Sequence, residues 1–114
     1  MVISFAQLIT RLEQQRTEIM AELAEMAQHP RYKLGYGNHQ ADDASQAFDQ
    51  AADLAIRQNA ERLLELVEKA LERWEAGTYG YCEKCGQAID HARLKAIPYA
   101  SLCLDCANRP EIQH

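Results

Sequence analysis

The chain has 114 residues, 47% of them apolar and 25% charged, with a formal net charge of -5 at pH 7. That length allows one compact domain, or one small domain with an extension, and nowhere does the chain approach the ~20 consecutive apolar residues of a membrane span. No segment is basic (net charge is -2 over 1–27, zero over 28–45, -3 over 46–76 and zero over 77–114), so direct DNA binding, which draws on Lys and Arg against phosphates, is not expected.

From about Ile3 to Gln28, apolar residues recur at Phe5, Ile9, Leu12, Ile19, Leu23 and Met26, in steps of three and four broken once at Arg16. The spacing predicts an amphipathic helix with a near-heptad seam, and Ser4 is placed to cap it. The same stretch, MVISFAQLITRLEQQ, has neither the basic opening nor the long apolar run of a secretion signal, so a cytoplasmic protein is expected. Pro30, Gly35 and Gly37 in HPRYKLGYGNHQ then end the helix. A second helix is predicted from about Ala41 to Ala76, with its stripe at Phe48, Ala52, Ile56, Ala60, Leu63, Val67, Ala70 and Trp74. Asp42 and Asp43 fall in its first turn, where negative charge suits the helix dipole, and Gly77 fits its stop.

Two striped helices joined by a short loop predict an antiparallel coiled-coil hairpin over 1–76, with a tip loop near 29–40. The second helix is roughly ten residues longer, and its extra turns are expected to run past the base of the first, toward the C-terminal segment. Glu61–Glu65 and Glu68–Glu72 are like-charged neighbours on one face, so packing rather than surface charge must hold this helix. The loop, with His29, Arg31, Tyr32, Lys33, Tyr36 and His39, is the expected working end, because loops carry function more often than stripes do. The plainer reading of such a hairpin is a helical dimer or a four-helix bundle.

The remaining segment, 77–114, holds all four cysteines of the chain as Cys82-x-x-Cys85, seventeen residues, then Cys103-x-x-Cys106. In each pair the two-residue gap lets both sulfurs turn onto one ion, and two such pairs complete a tetrahedral four-thiolate site. Gly86 follows the first pair, where a tight turn with positive φ is often needed. The set suits one structural zinc; mononuclear iron fits the same tetrahedron, but no redox partner signal accompanies it. The competing reading is two disulfides. So short a segment cannot bury a large core, and a metal supplies what the core lacks. Four thiolates leave no open position for water or substrate, and with no Gly-rich phosphate loop or nucleophile triad the chain is not expected to be an enzyme.

The finger carries more than its cysteines. Gly77-Thr78-Tyr79-Gly80, Cys82-x-x-Cys85-Gly86, Ile89, Arg93-Leu94-x-Ala96-x-Pro98 and Cys103-x-x-Cys106 together resemble the signature of the DksA/TraR family of bacterial zinc-finger proteins. The two-helix arm resembles that family's coiled coil. The resemblance implies a mostly α fold, a coiled-coil hairpin plus a small four-cysteine finger, and an RNA polymerase-binding regulator of transcription. Its coiled coil would enter the secondary channel of the polymerase while the zinc end rests on the rim. The family's acidic tip motif falls on His39-Gln40-Ala41-Asp42-Asp43-Ala44: Asp42 and Ala44 match, and His39 stands where the first Asp would. Positions that help bind guanosine tetraphosphate in family members fall on Leu66, Ile97 and Ala107, none basic, so strong dependence on that alarmone is not expected.

Other residues follow from position. Trp74 is expected in the core beside the finger, with Tyr79 or Tyr81. Arg93 either contacts polymerase at the base or bonds a carboxylate of the second helix, Glu72 or Glu75. His91 is read as a surface residue and Pro98 as the former of a turn before the second cysteine pair. Asp42 serves equally as a tip residue or a helix-start residue. A monomer is the expected state, with a dimer as the alternative. The rival function is a zinc-finger adaptor that self-associates or binds another protein through its helices.

Overall fold

The computed structural model describes residues 4–28 and 40–109, with side chains for 4–28 and 47–109. The expected tip loop, including His29 and His39, lies outside the described residues, and of Asp42 and Ala44 only the backbone is described. Among the described residues four helices follow one another: α1, Phe5–Gln28; α2, Gln40–Ala76; α3, His91–Ala96; and α4, Leu104–Asn108. Among the described residues the only extended pairing is one antiparallel bridge, Tyr81 to Ala88. No described helix is long and apolar enough to cross a membrane.

Local chemistry sets the helix ends. Ser4 caps α1 by accepting from the Gln7 backbone N–H at 3.2 Å, and Gln7 Oε1 accepts in return from the Ser4 N–H at 2.8 Å. That reciprocal box satisfies two donors that a helix start otherwise leaves unpaired. At the other end of the pair, α2 stops at Gly77, whose φ of +83° is cheap only for glycine. The Gly77 N–H bonds the Trp74 carbonyl at 3.1 Å and the Thr78 N–H bonds the Arg73 carbonyl at 2.8 Å, the paired bonds of a Schellman stop.

The chain divides into two compact units. One comprises 1–16 and 66–114, so the start of α1, the end of α2 and the finger share one core. Leu8, Ile9 and Leu12 of α1 are buried there with Val67, Ala70 and Leu71 of α2 and with Tyr79, Ile89, Leu94 and Ala100 of the finger. Here α1 and α2 run antiparallel, because Phe5 at the first residue of α1 meets Tyr79, just past the last residue of α2. The extra length of α2 therefore does not carry it past the base of α1 toward the finger, as its length suggested. Phe5 itself reaches the finger, edge to face with Tyr79 at 5.3 Å between ring centroids.

The other unit comprises 17–65. Its described buried side chains are Ile19 and Ala60, while Leu23, Met26, Ala52 and Leu63 are half-buried. Phe48 and Ile56, placed on the inner stripe by periodicity, are exposed, Phe48 by 74%. Two helices alone bury only a narrow seam between them, and large residues off its centre stay in water.

Candidate metal centre

Two turns present the sulfurs. In the first, Cys82 through Gly86, the Gly86 N–H bonds the Cys82 carbonyl at 2.9 Å with Gly86 at φ +78°. The Lys84 and Cys85 N–H groups point at Cys82 Sγ from 3.4 and 3.5 Å. In the second, Cys103 is the N-cap of α4, and its sulfur accepts from the Cys106 N–H at 3.4 Å. Both turns therefore aim backbone donors at a sulfur, which favours thiolate over thiol. The Glu83 N–H bonds the Ser101 carbonyl at 2.9 Å and ties one turn to the other.

All four cysteines are free of disulfides, and their Sγ atoms lie within 4.8 Å of one another. Cys85 Sγ and Cys103 Sγ are 3.8 Å apart. A zinc tetrahedron with Zn–S bonds of ~2.3 Å has sulfur–sulfur edges of about 3.8 Å. The disulfide reading is thus excluded, and Cys82, Cys85, Cys103 and Cys106 fit one structural zinc. Such an ion supplies cross-linking and no reactive position, since the protein fills all four sites.

The sulfurs do not share their protons evenly. The Cys85 backbone N–H chiefly pushes Cys82 down to about 6, against the opposing effect of burial. The hydrogen bond with Cys103 chiefly pushes Cys106 up to about 12, with Cys82 and burial adding to it. Without metal, Cys106 keeps its proton through neutral pH, and zinc must displace it. Acid therefore opposes loading, and more strongly below about 6, where Cys82 also takes a proton. Apparent zinc affinity is expected to fall by about tenfold per pH unit for each displaced proton. Competition against a chromophoric chelator between pH 8 and pH 5.5 measures it; a flat profile would contradict the assignment.

The finger is fastened to the helices by residues outside the ligand set. Tyr79 is buried, and its hydroxyl donates to the Pro98 carbonyl at 2.8 Å. Burial raises its pKa, with Arg73 and Arg11 opposing. Pro98 itself forms the expected turn, closed by the Ala100 N–H on the Ile97 carbonyl at 2.9 Å, with proline at the position its fixed φ favours. Gly80 has φ +91°, and a Cβ there would lie 2.8 Å from Phe5 Cζ. That explains the glycine: it lets α1 close onto the finger.

Several expectations change. Trp74 is 41% exposed rather than in the core, though it packs edge to face on Tyr79 at 6.2 Å. His91 is half-buried and stacks on Phe5 at 5.7 Å instead of lying on the open surface. Arg93 Nε donates to the Leu102 carbonyl at 2.9 Å; among the described residues neither Glu72 nor Glu75 pairs with it. Arg73, which no sequence feature singles out, reaches the Tyr99 and Ala100 carbonyls and Glu83. Its partners are carbonyls far along the chain, which leave no mark in sequence.

Comparison with known proteins matches residues 77–111 to the family described as prokaryotic dksA/traR C4-type zinc finger. General stress protein 16O of Bacillus subtilis is 37% identical over 94 residues, covering 82% of this chain and 54% of that protein. The RNA polymerase-binding transcription factor DksA of Caulobacter vibrioides is 35% identical over 96 residues, covering 84% of this chain and 68% of that protein. This chain thus spans about half the length of the first relative and about two thirds of the second. Among solved structures, transcription factor DksA2 of Pseudomonas aeruginosa superposes with a TM-score of 0.79 at 30% identity, covering 92% of this chain and 81% of that one. The likeness runs through both helices as well as the four-sulfur finger, and the chain belongs to the DksA/TraR family.

Proposed function

We propose that this protein is an RNA polymerase-binding regulator of transcription. Its helical hairpin enters the polymerase secondary channel, and the zinc finger is the structural base that holds it. The observation that supports this most is the 35% identity over 96 residues to a relative named for binding RNA polymerase, an extent that includes the helices. The charge map agrees: a neutral finger and acidic helices suit a protein partner better than a phosphate backbone. The working tip comprises His39, Asp42 and Ala44, the last two near the start of α2. Partly buried Arg93 is the proposed contact at the base. The protein acts in the cytoplasm as a monomer, binds no DNA directly, and performs no catalysis.

Retention of the full chain on immobilised polymerase after nuclease treatment tests the reading. The chain is expected to be retained and to change run-off transcription, and Asp42→Asn is expected to lose most of that change. Added guanosine tetraphosphate is expected to alter it little, because Leu66, Ile97 and Ala107 offer no cation. Absent retention, with a stable dimer in light scattering, would replace the proposal with the self-associating adaptor. Retention abolished by nuclease would point to nucleic acid.

A further inference from the structure

Arg73 sits in the last turn of α2, and its backbone carbonyl receives the Thr78 and Tyr79 N–H groups at 2.8 and 3.1 Å. Its side chain is 12% exposed and leaves the helix for the finger. There Nη2 donates to the Tyr99 and Ala100 carbonyls at 3.3 and 3.4 Å, while Nη1 lies 3.6 Å from Glu83 Oε2. Glu83 lies between the first two ligands, Cys82 and Cys85. Tyr99 and Ala100 shortly precede the third, Cys103. One guanidinium therefore ties the first sulfur-bearing turn to the segment that leads into the second, from the end of α2.

Ordinary packing does not require a guanidinium at this position. Among the described residues the buried Nε–H of Arg73 has no partner. A buried unpaired donor is costly, and an unbranched apolar side chain of similar reach would fill the space without one. What the planar fork adds is a fixed spacing between two segments, which neither an apolar chain nor a single ammonium can set. A tetrahedral site depends on that spacing, because a small displacement of one turn pulls two of the four sulfurs off the ion.

We infer that Arg73 is a positioning residue for zinc: it sets how long the ion is held, although it ligates nothing. Groups that orient a metal site from outside the ligand set typically change affinity by roughly 10–100-fold. Zinc release from the full chain into excess chromophoric chelator reads this directly. Arg73→Met is expected to release zinc about tenfold faster, at the lower end of that range because the Glu83–Ser101 backbone bond remains. Arg73→Lys keeps the charge but not the fork, and is expected to release nearly as fast as Arg73→Met. Should Arg73→Met fail to fold, the lysine variant carries the test. Ile19→Ala, a buried site in the other unit, is expected to leave release unchanged. Wild-type release from Arg73→Lys would overturn the inference, and so would equal acceleration in Ile19→Ala, since release would then follow general stability.

Discussion

Stripping zinc is expected to unfold the whole unit formed by 1–16 and 66–114, and not the finger alone. The buried residues of the finger (Tyr79, Ile89, Leu94 and Ala100) share one core with Leu8, Leu12, Val67 and Leu71. Structural zinc contributes roughly 10–16 kcal/mol of apparent free energy in small fingers. That is at least as large as the ~5–15 kcal/mol that separates a typical domain from its unfolded state. Chelation should therefore remove the near-ultraviolet signal of the Trp74–Tyr79 ring pair together with part of the helical signal. Cys106→Ser should reproduce both losses, because it deletes a buried ligand. A chelated protein that kept its ring signal and its melting temperature would show that the helices, not the metal, hold this unit.

The second large effect is expected at Gly80. Gly80→Ala meets two separate penalties. Its φ of +91° is unfavourable for any side chain, at roughly 1–3 kcal/mol. Its Cβ would also collide with the Phe5 ring at 2.8 Å, adding ~1–3 kcal/mol of overpacking. Gly77→Ala is the internal comparison. It has φ +83°, and among the described residues nothing would lie within 4 Å of its Cβ, so only the backbone penalty remains. Thermal unfolding should place Gly80→Ala well below Gly77→Ala, by several degrees for each additional kcal/mol. Repeating Gly80→Ala in a Phe5→Ala background should remove the collision and leave a cost close to that of Gly77→Ala. Equal costs for Gly80→Ala in both backgrounds would mean that Phe5 does not press on this glycine.

The ligand set could be read directly, because two-residue gaps between cysteines are a local device and need no tertiary context. The helix limits were legible for the same reason: Ser4 and Gly77 act on their own neighbours. The core was less so. Periodicity found Ile9, Leu12, Ile19, Ala60, Val67 and Ala70, but passed over Leu8 and Leu71. Both adjoin stripe residues and are buried where the finger adds a third body against the helix pair, which widens the covered face. The same reasoning runs in reverse for Phe48 and Ile56, which lie in the unit without the finger. His91 was misplaced and Arg73 passed over because their partners, Phe5 and the 99–100 carbonyls, are set by the closure of the chain and not by nearby sequence.

The seal between Phe5 and the finger also bears on how the protein is made. Helical hairpins usually fold quickly because their contacts are local. Here the first turn of α1 finds its aromatic partners, Tyr79 and His91, only after more than 70 further residues have been synthesised. At ~5–20 residues per second, that leaves several seconds in which Phe5 and Leu8 have left the ribosome and the surface that will cover them has not. The metal-loading step, which needs Cys106, comes later still. The apolar start of α1 therefore waits for partners that only the C-terminal side of the chain supplies.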